Sequence, residues 1–199
     1  MARLSLNKSQ LARETADLAM YRRFLPALDL KRQQLMAERK KIEAHLAEIK
    51  ARADELISTV GAEIPMLADK EIDLDGLARL KSVKVGEVNV VGLRLPALES
   101  IEVEIVEYGF LVRPHWVDVL AARLKEVVRM RIEARIGERQ IGLLDKAITK
   151  VTQRLNLFDK VLIPKTQGNI RKIQIALSDM ERSAVVTSKI AKPKREAAA

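Results

Sequence analysis

The sequence contains no cysteine, so disulfides and thiolate metal sites are excluded. A cysteine-free chain is compatible with the cytoplasm. Aromatic residues make up only 3% of the 199 residues, and there are eight glycines. Compact globular cores lean on aromatic area, whereas long helices pack mainly on Leu, Ile, Val and Ala. Met1–Gln10 has no apolar run of the kind that heads a secretory signal. No uncharged stretch approaches the ~18–20 residues of a membrane span, so no direct membrane insertion is expected.

What is abundant is charge and aliphatic side chain. Charged residues are 32% and hydrophobic residues 48%, a mixture that suits a thin object with a large solvated surface. The net charge is +9. Much of the excess lies between Arg123 and Lys172 and in the Lys192–Arg195 tail. A basic surface of this kind can meet nucleic acid, anionic lipid or an acidic protein sleeve.

The apolar residues follow a heptad. From Leu11, one column holds Leu11, Leu18, Leu25 and Leu46, with Arg32 and Arg39 interrupting it. The second column holds Tyr21, Leu28, Leu35, Ile42, Ile49 and Leu56. This predicts a coiled-coil helix over residues 1–64. Asn7 or Ser9 can cap its start, and Gly61 and Pro65 mark its end. Pro26 removes one backbone hydrogen bond, which a long helix absorbs at a cost of ~3 kcal/mol. The stems of Arg32 and Arg39 can cover the seam, or their heads can face acidic groups of a second helix.

Residues 65–114 lose that period. A short helical turn is expected over Asp73–Leu80. The β-branched run Val83, Val85, Val88 and Val90 and the alternating Ile101–Val106 follow, punctuated by Gly86, Gly92, Pro96 and Gly109. A small hairpin or three short strands is the expectation. A second helical stretch covers 115–190, with seam positions Leu120, Val127, Ile141, Leu144, Ile148, Val151, Leu155, Phe158 and Leu162. After Pro164 the frame shifts to Ile170, Ile173, Leu177 and Met180, a stutter beside a residue that cannot donate its backbone hydrogen bond. Residues 191–199 form a flexible basic tail.

The fold class is therefore mainly α: a long antiparallel two-helix coiled coil with a β-hairpin-containing insert at one end. Folding the helices back on the insert makes paired residue numbers add to about 180. Residues after about 170 then lack a partner within the chain, leaving an apolar stripe of about 20 residues uncovered. The same register brings Arg32 and Arg39 near Asp145 and Glu138.

Catalytic chemistry is not signalled. Gly137–Gly142 has the spacing of a phosphate loop, but Leu143 and Leu144 stand where Lys and Ser/Thr are needed. His45 and His115 lack metal-ligand spacing. The carboxylates alternate with bases as solvated helix partners. No catalytic, cofactor or metal residues are assigned.

Three stretches carry a family resemblance. Arg154-Leu155-Asn156-Leu157-Phe158-Asp159-Lys160-Val161-Leu162-Ile163-Pro164-Lys165, followed by Ile170-Arg171-Lys172-Ile173, is similar to the Arg-x-Asn-x-Leu-Glu-x-Val-x-Ile-Pro pattern of the D subunit of V-type ATPases and ATP synthases. Leu28, Lys31, Arg32, Leu35 and Met36 resemble that family's Leu-x-x-Lys-Arg-x-x-Leu. Asn89–Pro96 resembles its Asn-x-x-Gly-x-x-x-Pro. The chain departs from the pattern at Pro26, Lys160, Thr166 and Gly168.

The resemblance implies a non-catalytic central-stalk rotor shaft that transmits torque between a catalytic hexamer and a membrane ring. Implied partners are the catalytic and non-catalytic hexamer subunits, the small F subunit of the stalk and a funnel-like coupler to the membrane ring, with no nucleic acid. The implied location is cytoplasmic, peripheral to the membrane. A hexamer-bearing contact is expected at Arg154, Asn156, Lys165, Ile170, Arg171, Ile173, Leu177 and Met180. An F-type shaft inserts a larger domain than the fifty or so residues here. A basic coiled-coil scaffold and a nucleic-acid binder are the remaining alternatives, the latter without aromatics interleaved among its bases.

Overall fold

The computed structural model describes residues 4–68, 76–106 and 114–196. It is mainly helical. Helix α1 spans Lys8–Glu63, strands β1 (Ala78–Val90) and β2 (Leu93–Ile105) form an antiparallel hairpin, and helix α2 spans Trp116–Asn156. A π-helical segment, Leu157–Leu162, leads without a break into helix α3, Ile163–Glu196. Helicity thus extends past residue 190, into the segment expected to be a flexible tail.

Local chemistry sets the boundaries. Asn7 caps α1, its Oδ1 accepting from the Gln10 N–H at 2.7 Å. Pro65 follows the helix end and opens a single 3₁₀ turn, Pro65–Ala68. The hairpin turn places both Val91 (φ 53°) and Gly92 (φ 79°) in the left-handed region. That is the geometry of a two-residue turn matched to strand twist. Among the described residues this is a two-stranded sheet, not three strands. The turn expected over Asp73–Leu80 falls partly outside the described residues, and Ala78–Leu80 belong to β1.

The chain divides into two compact units, residues 1–32 with 150–199 and residues 33–149. In the second unit, Ile64, Leu77, Trp116, Val117 and Leu120 form a buried cluster where the helices meet the insert, with Val60 and Leu124 against it. The helices there are antiparallel: Arg39 meets Asp145, Lys50 meets Glu138 and Arg123 meets Glu63. In the first unit, Lys8 meets Glu181, Glu14 meets Asn169, and the Tyr21 and Phe158 rings pack at 5.3 Å. The paired numbers add to roughly 180, from 178 for His45 with Glu133 to 189 for Lys8 with Glu181.

Candidate functional site

The surfaces available to partners are what the seam leaves over. In the first unit Leu11, Leu18, Leu25, Leu28, Leu155, Phe158 and Leu162 are half-buried and Val151 is buried. In the second unit Leu35, Ile49, Leu120 and Leu144 are buried, and Ile42, Leu56, Val127, Ile141 and Ile148 are half-buried.

The stutter has a structural cause. Pro164 has no N–H, and the turn before it widens into a π-helix. The Ile163 N–H donates to the Phe158 carbonyl, five residues back. A π turn holds one extra residue, so the buried position after Leu162 falls on Thr166 instead of Lys165. Thr166 is 6% exposed, the one buried polar residue among those described. The sequence placed the shift correctly, but a threonine in a seam gives no hydropathy signal.

Two expectations about the end of the chain need correction. Ile173 is fully buried, so its side chain is not free to meet a bearing. The uncovered stretch does not begin near residue 170, because Asn169 still reaches Glu14 and Lys8 still reaches Glu181. Exposure is continuous only from Asp179 to Lys192, and there Met180, Val185, Val186 and Ile190 are each more than half exposed. Of the other expected bearing residues, Arg154, Lys165 and Arg171 are exposed, and Asn156, Ile170 and Leu177 are half-buried.

The seam arginines part ways. Arg39 donates from Nε to Asp145 Oδ1 at 2.6 Å and from Nη1 to Glu43 at 2.9 Å. Its hydrogen bond to Asp145 holds its pKa above the ordinary arginine value, and the charges of Asp145 and Glu43 add to this. Arg32 instead bonds Asp29 on its own helix at 2.8 Å, and its Nε is buried with no hydrogen-bond partner. Glu138 takes Lys50, at 2.7 Å, and neither arginine. Arg32 sits one heptad from Arg39, and an acid three residues back on the same helix is the nearer partner.

The insert does more than join the helices. Leu95, near the hairpin tip, is 2% exposed, and Gln140 Nε2 of α2 donates to the Pro96 carbonyl at 2.6 Å. The tip therefore lies against the helical pair, over a hollow of about 400 Å³ lined by Ile42, Leu46, Ile136 and Val88 among others. No sequence period announces this contact. Replacing Leu95 with aspartate is expected to free the tip, because an unpaired buried carboxylate is costly. Hydrogen exchange over residues 86–97 should accelerate by at least ~10-fold. Unchanged protection would show that Leu95 does not hold the tip.

No group of three or more potential metal ligands exists among the described residues. His45 Nε2 lies 3.4 Å from Glu133 at an exposed position. No helix among the described residues is long and apolar enough to cross a membrane.

Comparison with known proteins adds the family. The sequence profile of the ATP synthase D subunit matches residues 10–193. The D subunit of the V-type ATP synthase of Borreliella burgdorferi is 35% identical over 96% of this chain and 95% of its own length. The protein of the same description from Chlamydia muridarum is 31% identical over 97% of this chain and 96% of its own. That from Chlamydia trachomatis serovar L2 is 32% identical over 97% and 96%.

Proposed function

Because the chain belongs to the ATP synthase D-subunit family, we propose that it is the non-catalytic central rotor shaft of a rotary V-type ATPase or ATP synthase. In this reading it carries torque between a hexamer of catalytic and non-catalytic subunits and a membrane ring. The arms, residues 1–64 and 115–190, enter the hexamer. The insert, residues 65–114, lies toward a funnel-like coupler, and the small F subunit of the stalk binds alongside. The protein is then cytoplasmic and peripheral to the membrane.

The observation that carries the reading is the exposed helical run Asp179–Lys192, with Met180, Val185, Val186 and Ile190 uncovered. Four large apolar side chains at the end of a helix need a surface to contact. A collar around that helix supplies one without a further domain in the chain. Arg154, Asn156, Lys165, Ile170, Arg171, Leu177 and Met180 complete the proposed bearing contact. Two helices packed on a shared seam also resist twisting better than one, which torque transmission requires.

The test is capture of the tagged chain from its own cells, with mass spectrometry and an ATP hydrolysis assay on what is recovered. Recovery of both hexamer subunits with ATPase activity is the expected result. Recovery of nucleic acid, or of the chain alone, would overturn the shaft reading in favour of a basic binder or scaffold.

A further inference from the structure

The two units differ sharply in charge. Residues 1–32 with 150–199 hold 18 basic and 7 acidic residues, a net +11, whereas residues 33–149 hold 18 basic and 20 acidic, a net −2. All of the chain's net positive charge therefore belongs to the first unit.

That unit also has unlike flanks. With Leu18 and Leu25 at heptad position a, Met20 and Phe24 stand at c and g. With Leu155 and Leu162 at a, Leu157 and Val161 stand at c and g as well. In an antiparallel pair g faces g and e faces e. The contact of His45 with Glu133 shows the first relation in the other unit, and Lys50 with Glu138 shows the second. Met20, Phe24, Leu157 and Val161 therefore share one flank, beside the packed rings of Tyr21 and Phe158. They are 43%, 51%, 47% and 50% exposed. Toward Arg32 the flank continues into basic residues, Lys31, Lys150 and Arg154, and in the other direction into Asp17 and Arg13. The opposite, e flank at the same level carries Arg22 and Asp159 and continues to the Lys8–Glu181 ion pair.

We propose that the flank centred on Phe24 and Val161 is the face by which this chain presses on one side of the hexamer, against a surface with an apolar centre and an acidic rim. The inference rests on the shaft reading and adds to it a direction. Exposed apolar side chains gathered on one flank mark an interaction surface, and the basic residues beside them select an acidic rim. A shaft that is apolar on one side and ionic on the other contacts the subunits around it unequally. Its contact energy then changes with angle, which is the condition for preferred rotary positions.

The experiment uses the full chain and the hexamer purified from the source enzyme without its shaft, with Kd measured by interferometry. Phe24→Ser combined with Val161→Ser is expected to weaken binding by at least ~10-fold. Met20→Gln with Leu157→Gln should do likewise. The e-flank control, Arg22→Ser with Asp159→Ser, should stay within about twofold of wild type. All substituted residues but Arg22 and Asp159 are apolar and about half exposed, and circular dichroism of each variant confirms that the helices form. Equal binding by both flank variants and wild type would overturn the sided face while leaving the shaft reading in place. Absence of binding by the wild-type chain would overturn both. Binding that does not weaken between about 50 and about 500 mM salt would remove the acidic rim.

Discussion

Leu144→Ala is expected to lower the free energy of unfolding by about 3 kcal/mol. Leu144 is fully buried at a seam position of α2. Truncation there removes three carbons from a site that two rigid helices cannot readily close, so a transfer loss and a cavity loss both apply. The matched control is Leu30→Ala on α1. Leu30 is 56% exposed, and its truncation should cost no more than ~0.5 kcal/mol. Both are read from urea unfolding followed by helical circular dichroism, with the slope checked for constancy. If the two variants lost equal stability, burial in the seam would not be what holds the helices together. An aspartate at Leu144 should be worse than alanine, because no partner awaits a charge there.

Deleting residues 179–199 is expected to separate function from stability. The side chains of Asp179–Lys192 are exposed, so removing them takes away little intrachain packing. Among the described residues the ion pair lost is Lys8 with Glu181, whose side chains are 81% and 69% exposed, and such pairs contribute little. Unfolding should therefore change by no more than about 0.5 kcal/mol. The hexamer, in contrast, would lose the Met180, Val185, Val186 and Ile190 surface. Its affinity for the shaft should fall at least ~10-fold, equivalent to about 1.4 kcal/mol. Unaltered affinity would remove the bearing role from this end. A cut after Gly168 would be a poorer experiment, since it also takes away the buried Ile173 and would mix unfolding with lost contact.

The overhang begins later in the chain than the heptad register places it. A register sum near 180 places α1 against α2 correctly, but it is Arg39 that meets Asp145, while Glu138 goes to Lys50. Individual pairs scatter around it, from 178 for His45 with Glu133 to 188 for Lys50 with Glu138 and 189 for Lys8 with Glu181. An error of several residues in the sum moved the predicted overhang by about ten residues and put Ile173 on the wrong side of it. Arg32 shows a different limit. Its heptad position is the same as that of Arg39, yet its partner is Asp29 of its own helix. Which acid an arginine reaches depends on rotamer and distance, and periodicity encodes neither.

The sequence by itself determined the two helical arms, their seam, a break at Gly92 within the insert and the place of the stutter. These follow from local causes: the 3.6-residue period, side-chain caps, the missing N–H of proline and the tolerance of glycine for positive φ. Only the tertiary structure decided that the hairpin tip lies on the helices through Leu95 and Gln140, that Thr166 enters the seam, and that Met20, Phe24, Leu157 and Val161 gather on one flank. Each of these joins residues from different elements far apart in the chain. Their proximity is fixed by the helices' shared register and by the hairpin's length and fold, which no single stretch of sequence records.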